Sequence, residues 1–274
     1  MIFSEFSPQK TRRKHGAAAP LSAGFFDVSA FTGNWPFWKL GQPNMSQLEY
    51  AHTRNGVTGG VVSRLDSIFY NDPAEGDEEL AAELPAGYLL ALSHNPVLPY
   101  AREEIRENRL GAAELRLYPS YHPYRLTDPC CISCCREAAR AGLVIHIVAK
   151  INDIRLDYLW RQQMPAADEI VQLARTVEEG SFILSGFTLS ELAGHASKFA
   201  PLNNLFLDMA YSGDLLFGYE KIPALFPIER LVFGTYFPIL CMESSTMALE
   251  MAGLSDDDKD MIGYQNAARL FILT

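Results

Sequence analysis

Short apolar runs recur along the chain, and each run ends in polar or turn-forming residues. Eight of them have the length and β-branched content of strands. They span residues 24–33, 59–69, 88–96, 112–119, 143–150, 181–190, 204–210 and 230–238. Stretches with helical spacing of apolar residues separate them, so the pattern predicts parallel strands covered by helices.

Some of the intervening helices carry clear boundary residues. The stretch 128–142 begins with Asp128 as N-cap and Pro129 at the first helical position, and it ends at Gly142. No linker rich in Gly, Ser or Pro divides the chain. We therefore predict an α/β fold, a single (β/α)8 TIM barrel over residues 23–274, with an N-terminal arm at residues 1–22. A doubly wound open sheet is the runner-up, but the glycine-rich first turn it needs is absent.

The alternation of side chains along each strand predicts which residues face the barrel lumen. It places a set of charged and polar residues there: Asp27, Arg64, Asp66, Glu114, Arg116, Tyr118, His146, Lys150 and Asp208. Branched apolar residues fill most barrel interiors, and a buried charge must be paired, hydrated or liganded. The pattern therefore predicts either a site for a polar or anionic ligand or a closed ion network that only fills the barrel.

Five segments resemble the amidohydrolase-related family of metal-dependent TIM-barrel hydrolases and decarboxylases. They are "FFDVSAFTGNWPF" (25–37), "AELRLYPSYHPY" (113–124), "AGLVIH" (141–146), "RLVFGTYFP" (230–238) and "NAARLF" (266–271). The resemblance implies a barrel whose chemistry lies at the carboxyl ends of the strands.

The resemblance also implies where metal ligands would stand. The family's first strand reads Asp-x-His-x-His, and this chain has Asp27, Ser29 and Phe31. The family's histidines on strands five and six fall at Val148 and Gly186, and its aspartate on strand eight falls at Tyr236. A hydrolytic zinc needs about three protein ligands, so these residues predict that the family's zinc is lost and that the chain has no metal cofactor. A divalent metal held by Asp27, His146 and Asp208 is the alternative.

The leading functional hypothesis is a hydrolase-like enzyme acting on a small anionic or cyclic ester or amide. In it, Asp27, Asp66 and His146 are catalytic and handle protons. The substrate-binding residues are Arg64, Arg116, Tyr118, Lys150 and Tyr236. The alternative is a non-catalytic barrel that binds a small ligand or a partner protein, which a lumen sealed by Tyr236 and Phe31 over a closed ion network would favour.

The net charge and the cysteine content limit the partners and the cellular location expected for this chain. A net charge of −10 argues against nucleic acid and membrane as partners. Five cysteines, four of them within "CCISCC" (130–135), do not make a disulfide framework, so we predict a cytoplasmic location and a structural role for these cysteines. The expected partner is a small-molecule substrate or ligand, and a homo-oligomer is left open.

Overall fold

A computed structural model describes residues 24–273, except residues 38, 42, 152–162 and 212–217. The predicted arm at residues 1–22 lies outside the described residues. No helix in the described part of the chain has the length and apolar content needed to cross a membrane.

Eight parallel strands follow one another around the molecule in sequence order. They are β1 (Phe25–Thr32), β2 (Val57–Arg64), β3 (Tyr88–His94), β4 (Glu114–Leu117), β5 (Val144–Val148), β6 (Phe182–Ser185), β7 (Leu205–Asp208) and β8 (Leu231–Val232). Backbone hydrogen bonds from Val28 to Phe233, at 3.0 Å, and from Phe31 to Phe237, at 2.9 Å, join β1 to the chain at and beyond β8. The predicted single (β/α)8 TIM barrel is therefore confirmed.

Helices connect the strands on the outside. They are α1 (Met45–Arg54), α2 (Ala74–Glu83), α3 (Ala101–Glu107), α4 (Pro129–Arg140), α5 (Ala167–Thr176), α6 (Leu189–Phe199), α7 (Gly218–Lys221), α8 (Met242–Glu250), α9 (Asp256–Asp260) and α10 (Asn266–Phe271). Short 3-10 turns lie at Asp66–Phe69, Ile222–Ala224 and Ile228–Arg230, and a π turn at Met261–Gln265 joins the last two helices.

The cysteine-rich segment forms α4, as its capping residues predict. Cys131, Cys134 and Cys135 are buried in the apolar layer between helices and strands, and all five cysteines are free thiols. These three side chains therefore serve as small apolar core residues.

The lumen has three layers. An apolar layer near the amino ends of the strands contains Phe26, Val28, Val61, Ala91, Val144, Ile183 and Val232. A second apolar layer at the carboxyl ends contains Phe31, Tyr118, Val148 and Tyr236. Between them lie the polar side chains of β4 to β7, namely Glu114, Arg116, His146, Ser185 and Asp208.

Candidate functional site

Five side chains form the middle of the lumen, which we call the polar layer: Glu114, Arg116, His146, Ser185 and Asp208. Asp208 is 2% exposed and the other four are fully buried. The structure places Glu114, Arg116, His146 and Asp208 inside the lumen, as the alternation of side chains along β4, β5 and β7 predicts. Ser185 was not among the predicted residues, although the same alternation within "FILS" directs it inward.

Arg116 has every donor of its guanidinium group occupied. Nε donates to Glu114 Oε1 at 2.5 Å. Nη1 donates to Ala30 O and Ser63 Oγ, and Nη2 donates to Val28 O and Val61 O, all at 2.9 Å. A guanidinium has five N–H groups, so none remains for a substrate carboxylate in this arrangement.

A chain of hydrogen bonds continues from Glu114 across the lumen. Glu114 Oε1 lies 3.1 Å from His146 Nδ1, His146 Nε2 contacts Ser185 Oγ, and Ser185 donates to Asp208 Oδ2 at 2.7 Å. Since the hydroxyl hydrogen of Ser185 goes to Asp208, Nε2 of His146 is the donor to Ser185. The ring of His146 thus links the Glu114 carboxylate to the Ser185 hydroxyl, and the hydrogen-bonded chain runs without a break from Arg116 to Asp208.

The two buried carboxyl groups respond differently to this environment. Burial would raise the pKa of Glu114, but the charges of Arg116 and His146 outweigh it and hold that pKa below its usual value. Burial raises the pKa of Asp208, and the charge of His146 only partly opposes the shift. Glu114 is therefore the firmly ionised member of the layer.

Asp27 does not lie in the lumen, so its predicted inward position is wrong. Phe26 and Val28 face inward instead, and a register shift between Asp27 and Ala30 interrupts the alternation of β1. Asp27 accepts hydrogen bonds from the backbone N–H groups of Ser29 and Thr235 at 2.9 Å and from the Thr235 hydroxyl. Its other contact is His52 Nε2 of α1 at 3.2 Å.

Arg64 and Asp66 are also outside the lumen. In β2, Val61 and Ser63 face inward, so Arg64 faces outward, and Asp66 lies beyond the end of the strand in a 3-10 turn. Arg64 binds Asp66 through two hydrogen bonds, Nε to Oδ1 at 2.9 Å and Nη2 to Oδ2 at 2.8 Å. Both line a cleft of about 300 Å³ at the carboxyl ends of β1 and β2. The sequence-based register of strand two was wrong by one residue.

Lys150 and Tyr118 lie where the alternation places them, but both have protein partners. Lys150 Nζ lies 3.1 and 3.2 Å from the two carboxylate oxygens of Glu191 and 5.0 Å from the centre of the Tyr211 ring. The Tyr118 hydroxyl lies 3.0 Å from Ser63 Oγ, and burial raises the pKa of Tyr118 to about 12. The substrate-binding roles of these residues stay predictions.

Phe31, Val148 and Tyr236 come together at the carboxyl end of the lumen, and we call this group the plug. All three are fully buried, and the rings of Phe31 and Tyr236 meet edge to face with centroids 5.5 Å apart. Tyr236 has φ +54°, a left-handed conformation that aromatic residues rarely adopt. Three of the positions at which the resemblance expects metal ligands thus form an apolar contact.

A further position of that set, Gly186, has no room for any side chain. Its φ is +85°, and a Cβ there would lie 2.6 Å from the backbone nitrogen of Lys150. Asp27, His146 and Asp208, the alternative ligand set, do not converge either. Among the described residues, no group of three or more His, Cys, Asp or Glu side chains is arranged to hold a metal ion.

Comparison with known proteins identifies the fold. No family model matches the chain, and no curated protein sequence matches it. Among solved structures, 5-carboxyvanillate decarboxylase from Sphingomonas paucimobilis has a TM-score of 0.69 and 15% identity, covering 92% of this chain and 100% of that one. An amidohydrolase II has a TM-score of 0.67 and 15% identity, covering 90% and 99%. A dihydroxybenzoic acid decarboxylase from Polaromonas sp. JS666, with bound manganese and the inhibitor 2-nitroresorcinol, has a TM-score of 0.69 and 12% identity, covering 91% and 97%.

These similarities confirm, at the level of the fold, the resemblance to amidohydrolase-related barrels. They also correct one prediction. The chain was expected to have no metal cofactor, and the manganese bound in the Polaromonas decarboxylase contradicts that expectation for barrels of this kind. The donor set described above nevertheless does not fit such an ion.

Proposed function

We propose that this chain is a non-catalytic barrel that binds a small ligand. Its barrel fold is shared with amidohydrolase-related decarboxylases and hydrolases. The observation that carries the proposal is the state of the lumen. The polar layer is hydrogen-bonded from Arg116 to Asp208 and lies beneath the plug of Phe31, Val148 and Tyr236.

The energetics of the polar layer support a structural role for it. A substrate carboxylate could reach Arg116 only by displacing Glu114 or the backbone carbonyls that the guanidinium already binds. Removing one partner from a buried ion pair typically costs about 3–5 kcal/mol. Substrate binding would therefore have to offset this loss as well as the displacement of the plug.

The solved neighbours include decarboxylases of small aromatic acids, and one of them contains manganese. If this chain is catalytic, an aromatic acid is therefore the substrate class to test and manganese is the metal ion to add. Turnover assays with an aromatic acid and added Mn²⁺ therefore test catalysis under the conditions most favourable to it.

A second candidate function is hydrolysis by a serine nucleophile. Ser185 Oγ contacts His146 Nε2, and His146 Nδ1 lies 3.1 Å from Glu114, which is the order of nucleophile, base and orienting carboxylate in serine hydrolases. The Ser185 hydroxyl, however, donates to Asp208 rather than to His146. This arrangement would need a proton on Asp208 and an opening of the plug before it could act.

The test is the Ser185→Ala variant, assayed for stability and for turnover. If the layer is structural, His146 Nε2 and Asp208 Oδ2 each lose a buried partner, and the free energy of unfolding in urea falls by about 1–3 kcal/mol. If Ser185 is catalytic, Ser185→Ala should have the same free energy of unfolding as the wild type or a higher one. Catalytic residues often cost stability, so replacing one with alanine often stabilises the protein. Glu179→Gln, at an exposed position in the turn after α5, is the control and should change stability by less than about 0.5 kcal/mol.

Turnover is measured with dihydroxybenzoates, aryl esters and lactones, with and without added Mn²⁺. We expect no reaction above the rate in buffer. Turnover by the wild type that disappears in Ser185→Ala, or covalent labelling of Ser185 by a small sulfonyl fluoride, would overturn the proposal in favour of the serine hydrolase. Manganese-dependent turnover would overturn it in favour of a metal enzyme.

A further inference from the structure

A cleft of about 610 Å³ lies on the outer wall of the barrel, between α2 and α3. Side chains of both helices form its walls, and the last residues of β3, from Leu92 to His94, form its floor. No member of the polar layer lines it. The cleft is therefore separate from the lumen, and its volume lies in the range of small-ligand sites.

We call this cleft the acidic cleft, because carboxylates outnumber all other charged groups in its lining. Six carboxylates line it, those of Asp72, Asp77, Glu78, Glu103, Glu104 and Glu107, together with only two arginines. Both arginines are engaged, Arg106 with Glu137 at 3.5 Å and Arg109 with Glu107 at 2.6 Å. Across the described ranges of the chain, the other five carboxylates form no ion pair.

Two deeply buried side chains of the cleft have an unused polar atom. Asp77 is 2% exposed; its Oδ2 accepts a hydrogen bond from the Ser93 N–H at 2.8 Å, and its Oδ1 has no partner. His94 is 3% exposed, and its Nε2 has no partner. Buried polar atoms are almost always hydrogen-bonded, so this pair indicates a place for a ligand that donates N–H or O–H groups.

A bound cation would lower the raised pKa values of the carboxyl groups in this cleft. Burial, together with the negative charge of Asp72, raises the pKa of Glu104 to about 7. Burial raises the pKa of Asp77 well above its usual value and lowers that of His94 to about 3, so the imidazole is neutral. A neutral imidazole can accept a hydrogen bond through Nε2.

We propose that the acidic cleft binds a small organic cation with primary amino groups, of the diamine or polyamine class. An ammonium group donates N–H hydrogen bonds, and the half-buried carboxylate of Glu104 is the charged acceptor for it in a cleft that Asp77 and His94 also line. Glu103 and Glu107 lie one helical turn apart on α3 and offer a position for a second ammonium group. The partly exposed ring of Tyr100 lines the same cleft and can interact with a cation through its face.

The distribution of the carboxylates favours an extended amine over a metal ion. In the described part of the chain, no carboxylate of the cleft belongs to a group of three or more His, Cys, Asp or Glu side chains that could hold a metal ion. Separated amino groups can instead each bind a different carboxylate. This inference rests on the ligand-binding part of the proposed function and identifies the site and the class of ligand.

The test is calorimetric titration of the full chain with 1,4-diaminobutane and with spermidine at constant ionic strength. We expect one site per chain for the wild type. Glu104→Gln should weaken binding by about tenfold, because it removes one charged partner of the ammonium group. Glu179→Gln removes the same charge outside the cleft and should change the affinity by less than about twofold.

Asp77→Asn is the second variant, and it should also weaken binding if it folds; Glu104→Gln decides the result if it does not. Absence of binding at millimolar amine, or an equal loss in Glu179→Gln, would overturn the proposal. Stoichiometric binding of Mn²⁺ in the absence of amine would replace the proposal with a metal site. Because binding is measured without turnover, a failure here is distinct from a failure of the proposed function, which the Ser185→Ala assays decide.

Discussion

Arg116 illustrates, at the scale of one residue, why an inward charge need not be a functional one. The alternation of β4 correctly predicted that this side chain enters the lumen. It could not predict that Glu114, Ser63 and three backbone carbonyls would occupy all five donors, because those partners come from three different strands. The position of the residue was predictable from its own strand, and its pairing was not.

Glu104 gives a prediction about pH at the same scale. Its pKa of about 7 in the folded chain exceeds the ordinary value of 4.5, so the folded state binds more protons than the unfolded state between these values. The contribution of this group to stability therefore falls as the pH rises through that window. Glu104→Gln removes the dependence, and the variant should gain on the order of 1 kcal/mol over the wild type between pH 4 and pH 8, an amount reduced by solvent screening of a half-buried carboxyl.

Urea denaturation of both proteins at a series of pH values measures this difference. Glu179→Gln, whose carboxylate is exposed and has no bonded partner within the described residues, should show no such trend. A stability difference between Glu104→Gln and the wild type that is constant with pH would contradict the prediction.

At the scale of elements, the apolar runs located all eight strands, but not their ends. The last run, residues 230–238, was expected to be a long strand, and only Leu231 and Val232 are strand. Beyond them Gly234 passes close to Ser29 and Asp208, and the chain then bends to place Tyr236 in the plug. Helix α4, whose cap residues are local signals, was predicted to within two residues at each end.

The start of α6 supports a prediction at this scale. Thr188 and Glu191 form a reciprocal capping box, and Glu191 also binds Lys150 beyond the end of β5. Thr188→Ala removes the acceptor for the Glu191 N–H and should lower the free energy of unfolding by about 1 kcal/mol. Thermal or urea denaturation measures the change, with Thr176→Ala at the end of α5 as a control that should stay within about 0.5 kcal/mol. Equal effects of the two variants would show that the cap does not stabilise α6.

At the scale of the whole molecule, the barrel depends on a seam between its first and last strands. Asp27 lies on this seam and accepts hydrogen bonds from Ser29, Thr235 and His52, so it joins β1, the segment after β8 and α1. These contacts give Asp27 a structural role, and its catalytic role stays a prediction. The cytoplasmic location and the oligomeric state stay predictions.

Asp27→Ala should loosen the seam. It leaves the buried N–H of Thr235 and the ring of His52 without an acceptor, and we expect a loss of about 3 kcal/mol in the free energy of unfolding. Hydrogen exchange should accelerate at the amides of Val28 and Phe31, which donate across the seam. Thr235→Ser retains the hydroxyl and should change either quantity little. Unaltered exchange at Val28 in Asp27→Ala would rule out a role of Asp27 in closure.

The sequence by itself determined the eight-stranded barrel, the helix caps and the inward faces of β4, β5 and β7. These features depend on the period of apolar residues and on local capping chemistry, which neighbouring residues carry. Only the tertiary structure decided the lumen. In β1 the side chains of Phe26 and Val28 take the lumen and Asp27 faces away from it. Strand β2 ends at Arg64 and directs that side chain away, and residues from four strands pair with one another inside. Closure of a barrel brings distant strands together, and the partners of a buried charge are set by that closure rather than by its neighbours in the chain.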